Sequence, residues 1–123
     1  MPGKEQNVST SPVFAGIDVS KAHLDVAVRP DEIEWRSSNT DPGARGVADK
    51  LKDLDPDLVV LEATGGMEIP VASALAVLGV PVVVVNPRQV RDFAKSTGRL
   101  AKTDALDARV LAHFAEAVRP EPR

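Results

Sequence analysis

Four carboxylates stand at positions in this 123-residue chain where an acid needs a physical reason. Asp18 interrupts the apolar run VFAGIDV, and a charge in such a run must be paired or coordinated to be tolerated. Glu62 closes a second apolar run, LVVLE, shortly before a Gly-Gly turn. Asp104 and Asp107 are three residues apart, so on a helix they would share a face, about 5–6 Å apart at Cβ.

A set of acids of this kind suits a metal site whose ligands are all oxygen atoms. Gathered carboxylates repel each other, and Mg²⁺ or Mn²⁺, which prefer oxygen ligands, relieve that repulsion. Two such ions about 3.5–4 Å apart can activate an attacking oxygen and stabilise a leaving one on phosphorus. The chain has no cysteine and only two histidines, so thiol and His-rich metal sites are excluded. The expected catalytic and metal-binding residues are Asp18, Glu62, Asp104 and Asp107.

Each acid also has a purely structural explanation. Asp104 and Asp107 are acids that the helix dipole favours in a first turn, with Thr103 as the N-cap. Glu62 can be a solvated residue at the end of a strand. Asp18 is the hardest of the four to explain without a function.

Charge is divided unevenly along the chain. Residues 1–85 carry 7 Lys/Arg and 13 Asp/Glu, whereas residues 86–119 carry 7 and 4. A basic segment of this kind is either a solvated helix face or a strip that meets phosphates. The aromatic content of 3% argues against a nucleic-acid binder built on base stacking. The candidates for nucleic-acid contact are Arg88, Arg91, Lys95, Arg99 and Lys102.

Apolar periodicity and turn residues predict five strands and four helices. A tight connection at Ser20–Lys21 joins the first two strands, and the helix at 67–78 is apolar nearly all round, so it is expected to be buried. The last helix is expected to start near Thr103. The predicted strands are 13–19, 22–29, 33–39, 58–62 and 80–86, and the predicted helices are 43–53, 67–78, 87–96 and about 103–116.

This order predicts an α/β, ribonuclease H-like fold with a mixed sheet. The first three strands form an antiparallel meander, and the last two are joined through helices, so they should lie parallel. If the first and fourth strands are neighbours, Asp18 and Glu62 come close, and the last helix need only lay its first turn across the strand ends. A tail over 1–12, one domain over 13–118 and an exit tail over 119–123 are expected.

The sequence also predicts a cytoplasmic protein without a membrane partner. No apolar run approaches the roughly 18–20 residues of a membrane span. The first residues, MPGKEQNVSTSP, contain no apolar stretch of the kind that a signal peptide requires.

Three segments resemble the N-terminal domain of insertion-sequence-110 family transposases, which are DEDD-type DNA recombinases guided by a bridge RNA. The segments are FAGIDVSKAHLDVAV, LVVLEATGG and VVVVNPRQVRDFAKSTGRLAKTDALDARVLA, and together they span about residues 13–118. The most specific part is the block N-P-x-x-x-R-x-F-A followed by K-T-D-x-L-D-A. The resemblance implies a RuvC-like fold, Mg²⁺ on the same four acids at the site of DNA cleavage, DNA and guide RNA as partners, and dimers that pair into tetramers.

One departure from the family pattern limits what this chain is expected to do. Full-length members continue into a C-terminal domain that supplies a serine nucleophile, and the chain stops at Arg123 without a serine that matches it. We therefore expect the acidic half of a composite active site, with strand exchange requiring the absent domain.

Two other functional classes stay open at the level of the sequence. One is a non-catalytic module for nucleic-acid binding or dimerisation. The other is an ATP-binding fragment of the actin and sugar-kinase type, because GIDVSK is similar to the first phosphate loop of those proteins. That loop favours Gly and Thr or Ser after the aspartate, where this chain has Val19-Ser20-Lys21.

Overall fold

The computed structural model describes residues 12–98 and 106–121. They form one five-stranded sheet with two helices on each face. The strands are β1 Phe14–Val19, β2 His23–Arg29, β3 Ile33–Ser38, β4 Leu58–Glu62 and β5 Val82–Val85. The helices are α1 Asp41–Leu54, α2 Ile69–Val77, α3 Pro87–Ser96 and α4 Ala108–Val118.

The sheet has the mixed topology that the sequence predicted. Its strand order is β3-β2-β1-β4-β5, with the first three strands antiparallel and with β1, β4 and β5 parallel. The pairing of β1 with β4 brings together the two strands that end in Asp18 and Glu62. Continuous apolar runs form these central strands because both faces of the sheet are covered.

Alternation along β1 divides its residues between the two helical layers. Ala15 and Ile17 pack into the core with α1 and α2. Phe14 packs on the opposite face, in the core formed with α3 and α4. Since side chains alternate with a period of two, Gly16 and Asp18 also belong to the α4 face.

Helix α4 lies directly on Gly16. A Cβ atom built at Gly16 would stand 2.4 Å from the backbone O of Ala108 and 2.4 Å from the backbone N of Ala112. Only a residue without a side chain admits the helix backbone at this distance. Small residues on the helix complete the contact, since Ala112 and Ala108 are buried against Ala27 of β2.

Two ion pairs fasten α4 to the antiparallel part of the sheet. Arg29 Nε of β2 lies 2.7 Å from Glu116 Oε1, and Arg109 Nε lies 2.9 Å from Glu34 Oε2 of β3. The helix is therefore held along its length, by apolar packing underneath and by charge at its side.

Three local predictions differ from the structure. The β1–β2 connection is Lys21–Ala22, because Ser20 N donates to His23 O at 2.9 Å and closes a two-residue loop. Helix α2 is not buried all round: Val71 and Leu75 are buried, but Ile69 is 58% exposed and Val77 83% exposed. The helix lies in an outer layer, and among the described residues nothing covers its outer side.

The start of the last helix is the third difference. α4 begins at Ala108, and Asp107 precedes it as the N-cap, with φ −133° and ψ 178°. The Asp107 side chain accepts a hydrogen bond from Val110 N at 3.0 Å, which satisfies one of the open N–H groups of the first turn. The prediction that Asp107 lies inside a helix is therefore wrong; Thr103 and Asp104 lie outside the described residues.

None of the helices in the described ranges is long and apolar enough to cross a lipid bilayer.

Substitution of Gly16 tests the packing of α4. We expect Gly16→Ala to lower the free energy of unfolding by about 3 kcal/mol or more, because its Cβ meets helix backbone that cannot turn aside. Chemical denaturation would measure the loss. The matched control is Gly46→Ala in α1, where a Cβ meets nothing within 4 Å. Alanine favours a helix over glycine, so the control should gain about 0.5–1 kcal/mol. Equal stabilities for the two variants would contradict the close contact.

Candidate metal and nucleic-acid site

Asp18 and Glu62 lie side by side on neighbouring parallel strands. The register pairs Phe14 with Leu58 and Gly16 with Val60, and two residues further along it sets Asp18 beside Glu62. Both strands reach these acids at their carboxyl ends, on the face that carries α3 and α4. The sheet thus positions the two acids by register alone.

A third acid, Asp25, stands on the other side of Asp18. The antiparallel register pairs Asp18 with Asp25, and the next strand pairs Asp25 with Arg36. Arg36 Nε donates to Asp25 Oδ1 at 2.7 Å, and Arg36 Nη2 donates to Asp25 Oδ2 at 3.3 Å. We call this line across four strands the polar row; its members are Arg36, Asp25, Asp18 and Glu62.

Sequence analysis missed Asp25 and Arg36 as members of the site. Recognition of the two-residue loop Lys21–Ala22 would have set the hairpin register, and with it the position of Asp25 opposite Asp18.

Asp107 reaches the polar row from above. It caps α4 just beyond the contact of that helix with Gly16, and its carboxylate charge acts on Asp18. The space between α4 and the meander is a cleft of about 300 Å³. Its polar lining consists of Asp18, Asp25, Glu34, Asp107 and Arg109. Three of the four predicted metal ligands therefore surround one end of the sheet, and the fourth, Asp104, lies outside the described residues.

Like charges and burial disfavour ionisation of the two strand acids. The pKa of Asp18 is raised, first because the carboxylate is half-buried, then by the charges of Asp25 and Asp107, while Arg36 opposes the shift. The pKa of Glu62 is raised by its burial and by the charge of Asp18, and Arg91 opposes this shift. The polar row therefore holds more negative charge than the neighbouring arginines neutralise.

The cations of the basic helix α3 differ in their exposure and in their effect on Glu62. Asn86 caps the helix by accepting from Arg88 N at 2.8 Å. Arg91 is half-buried and lies close enough to Glu62 to lower its pKa, whereas Arg88 and Lys95 are exposed. Arg99 and Lys102, the other two predicted nucleic-acid contacts, lie outside the described residues. The structure thus adds a role for Arg91 that the sequence did not predict, the partial neutralisation of Glu62.

The turn after Glu62 is organised by a carboxylate of its own. Glu68 Oε1 accepts from Thr64 Oγ1 at 2.8 Å and from the backbone N of Thr64 and of Gly66, each at 3.1 Å. These hydrogen bonds lower the pKa of Glu68, with the Thr64 hydroxyl contributing most. Gly66 in this turn has φ +114°, a backbone conformation that glycine alone adopts without strain.

Asn39 connects this turn to the end of β1. Its Nδ2 donates to Ser20 O at 2.8 Å and to Met67 O at 3.2 Å. One amide group therefore bridges the loops that follow the strands of Asp18 and Glu62.

The two histidines lie in different places. His113 of α4 packs edge-on against Phe93, with ring centroids 5.0 Å apart, and it lines a small cavity with Asp107 and Arg109. His23 is exposed at the start of β2.

The donor chemistry of this site fits a hard divalent cation. The acids present only carboxylate oxygens, which Mg²⁺ and Mn²⁺ prefer. The pKa of Asp18 is raised by burial and then by the neighbouring charges of Asp25 and Asp107, and a bound cation would oppose both effects. Within the described ranges, however, no three acidic or imidazole side chains are close enough to form a complete metal site. Asp18, Glu62 and Asp107 are the described residues that could hold the ion, and the sequence predicts Asp104 as their fourth partner.

Removal of the Asp18 charge should stabilise the metal-free fold at neutral pH. A raised folded pKa means that folding disfavours the charged form, so the wild-type chain loses stability as the pH rises through the pKa of the unfolded and then of the folded chain. Asp18→Asn cannot ionise and is expected to be more stable at pH 7 by about 1 kcal/mol, since water screens a half-buried group. Denaturation in EDTA at pH 7 and at lower pH would measure it.

The advantage of Asp18→Asn should shrink as the pH falls, because wild-type Asp18 then becomes neutral as well. Asp49→Asn, which removes an exposed carboxylate from α1 on the opposite face, is the matched control and should show no such gain. A destabilised Asp18→Asn at pH 7 would contradict the repulsion described here.

Solved structures of RuvC share the fold of this chain. The structure of Thermus thermophilus RuvC in complex with a Holliday junction substrate is similar, with a TM-score of 0.63 at 19% sequence identity, covering 92% of this chain and 100% of that one. A second T. thermophilus RuvC structure gives a TM-score of 0.59, again at 19% identity, covering 90% and 99% of the two chains. These likenesses show that the fold is the RuvC-like, ribonuclease H-like one.

The family is shown by the sequence itself. No curated protein matches the chain. The model of the insertion-sequence-110 DEDD family, described as a transposase, matches residues 15–122, a range that begins in β1 and ends after α4. The chain therefore belongs to the insertion-sequence-110 family of DEDD transposases, as a domain of the RuvC-like fold.

Proposed function

We propose that this chain is the metal-binding part of a transposase active site that cleaves DNA strands. The observation that carries the proposal is the position of Asp18, Glu62 and Asp107 around one end of the sheet, on three elements that only the fold brings together. Membership of a transposase family and the likeness to RuvC, which is described with a Holliday junction substrate, support DNA as the substrate.

Mg²⁺, or Mn²⁺, is the proposed cofactor, with two ions bound by Asp18, Glu62, Asp107 and Asp104. When bound, the metal withdraws charge from the scissile phosphate and so favours attack on phosphorus. The protein's own contribution is to hold the acids: β1 and β4 fix Asp18 and Glu62 by register, and the N-cap of α4 fixes Asp107.

Nucleic acid is proposed to approach along the basic helix α3. Arg88 and Lys95 are exposed on α3, the helix whose Arg91 lowers the pKa of Glu62, and they are suited to backbone phosphates. Arg99 and Lys102 follow in the same direction along the chain and are proposed as further contacts. These cations contribute affinity without reading bases.

The remaining parts of the proposal come from the family resemblance. The nucleophile is proposed to be a serine of a C-terminal domain, so this chain would contribute the acids of a composite site. A guide RNA would then select the DNA, and the enzyme would work in the cytoplasm as a dimer or tetramer.

A non-catalytic nucleic-acid-binding module is the second candidate. It is favoured by one observation, that the described acids do not by themselves form a complete metal site. On this alternative the basic helix α3 would still bind phosphates, but strand cleavage would not occur.

Metal titration tests the proposed site. We expect Mn²⁺ to bind the wild-type chain and to raise its melting temperature, and Asp18→Asn to lose about tenfold or more in affinity because a charged oxygen ligand is removed. Isothermal titration calorimetry would measure the affinity. Asp49→Asn removes a carboxylate from the opposite face and should bind Mn²⁺ as the wild type does. Equally weak binding by wild type and Asp18→Asn would contradict the metal site.

Gel shifts separate the two candidate functions. Labelled duplex and four-way junction DNA would be incubated with the chain in EDTA and in Mg²⁺, alone and with the serine-bearing domain of a family member. Metal-dependent cleavage that Glu62→Gln abolishes supports the enzyme. Metal-independent binding without cleavage in every combination supports the binding module.

A further inference from the structure

Arg36 has an unusual position at the open end of the polar row. It lies on β3, the edge strand of the sheet, and its guanidinium reaches inward to Asp25, the neighbour of Asp18. Nevertheless the Arg36 side chain is 61% exposed. A cation is therefore presented to solvent next to Asp25, which lines the same cleft as Asp18 and Asp107, two of the predicted metal ligands.

The hydrogen bonds to Asp25 fix which edge of the guanidinium faces outward. Arg36 uses Nε and Nη2, the side edge of the group, to grip both carboxylate oxygens. A guanidinium has five N–H groups in a planar fork, so this grip leaves the Nη1–Nη2 edge pointing away from Asp25. That edge matches the spacing of two oxygens of one phosphate.

Stability of the fold gives little reason for this pair. An ion pair exposed to solvent contributes little to the stability of a fold. The meander is already fixed to the rest of the domain by Arg29–Glu116 and by Glu34–Arg109. Asp25 stands directly opposite Asp18 in the antiparallel register and holds both of its carboxylate oxygens toward Arg36. An acid placed beside another acid, where it orients an exposed arginine, indicates a ligand for that arginine.

We propose that Arg36, oriented by Asp25, binds a backbone phosphate of the nucleic acid at the meander end of the polar row. This deepens the proposed function and rests on it. Arg36 and Glu62 stand three strand spacings apart, about 14 Å, with Arg91 next to Glu62 at the far end. A nucleic-acid strand that runs along the polar row would thus pass Arg36 at one end of the acids and Arg91 at the other.

The test measures DNA binding by fluorescence anisotropy over a series of salt concentrations. The probe is a labelled DNA duplex, and the buffer contains Ca²⁺, an oxygen-seeking cation with loose geometric demands. We expect Arg36→Ala to bind about tenfold more weakly, and the slope of log K against log salt to fall by about 1, the change for one lost phosphate contact. Arg36→Lys keeps the charge but not the planar arrangement of N–H donors. Its affinity for the DNA should therefore lie between those of the wild type and of Arg36→Ala.

The matched control is Arg45→Ala. Arg45 is an exposed arginine of α1, on the opposite face of the sheet, and its loss should leave both the affinity and the salt slope unchanged. Circular dichroism of each variant would verify that the fold is retained.

Asp25→Asn tests the orienting role by the sign of its effect. If only net charge mattered, removal of a negative charge beside the DNA would tighten binding. If Asp25 orients Arg36, the neutral amide weakens the grip and binding becomes weaker. Binding as tight as that of the wild type, or tighter, would overturn the role of Asp25.

The outcomes separate this inference from the proposed function. A wild-type chain that does not bind DNA overturns DNA binding as the proposed function, and the phosphate site of Arg36 with it. A wild-type chain that binds DNA while Arg36→Ala and Arg45→Ala behave alike overturns the phosphate site alone.

Discussion

The contact between α4 and the bare backbone of Gly16 is the constraint on which the rest of the site depends. Gly16 and Asp18 lie two residues apart on the same face of β1, so the missing side chain and the carboxylate act together. The helix backbone occupies the space that a side chain at Gly16 would fill. This packing places Asp107, the N-cap of the helix, close to Asp18. A larger residue at Gly16 would displace the helix and, with it, one wall of the cleft.

Repulsion within the site has to be offset elsewhere in the domain. Burial disfavours both Asp18 and Glu62 as anions. The charges of Asp25 and Asp107 add to this at Asp18, the charge of Asp18 adds to it at Glu62, and the neighbouring arginines reduce it only in part. The offset comes from the apolar core below α4, where Leu111 and Phe114 are buried against β1, β4 and β5. The fold thus retains a charge arrangement that is itself unfavourable, which is common where structure serves function.

The sequence was sufficient for the sheet but not for its details. Continuous apolar runs and helical connections led to the mixed sheet of the correct fold class, because few topologies bury such strands, whereas the adjacency of β1 and β4 entered only as a condition. The exposure of Ile69 and Val77 was missed because an all-apolar helix does not reveal which side its neighbours cover. Thr103 and Asp107 are both good N-caps by residue type. Helix α4 begins after Asp107, where it packs on Gly16, and a contact with a residue so distant in the sequence is not visible in the local pattern. Asp25 was missed since its place depends on the hairpin register.

Gly16 and helix α4, which contact each other in the fold, lie far apart in the sequence, so the ribosome makes them at different times. Gly16 and Asp18 leave the ribosome early, whereas α4, the last helix of the described chain, follows only near the end. Contacts so distant in sequence form late, after the meander and the parallel strands have been made. A nascent chain therefore carries Asp18 and Glu62 without the wall that encloses them. The proposed site therefore gains its last described wall only after the rest of the described domain has been synthesised.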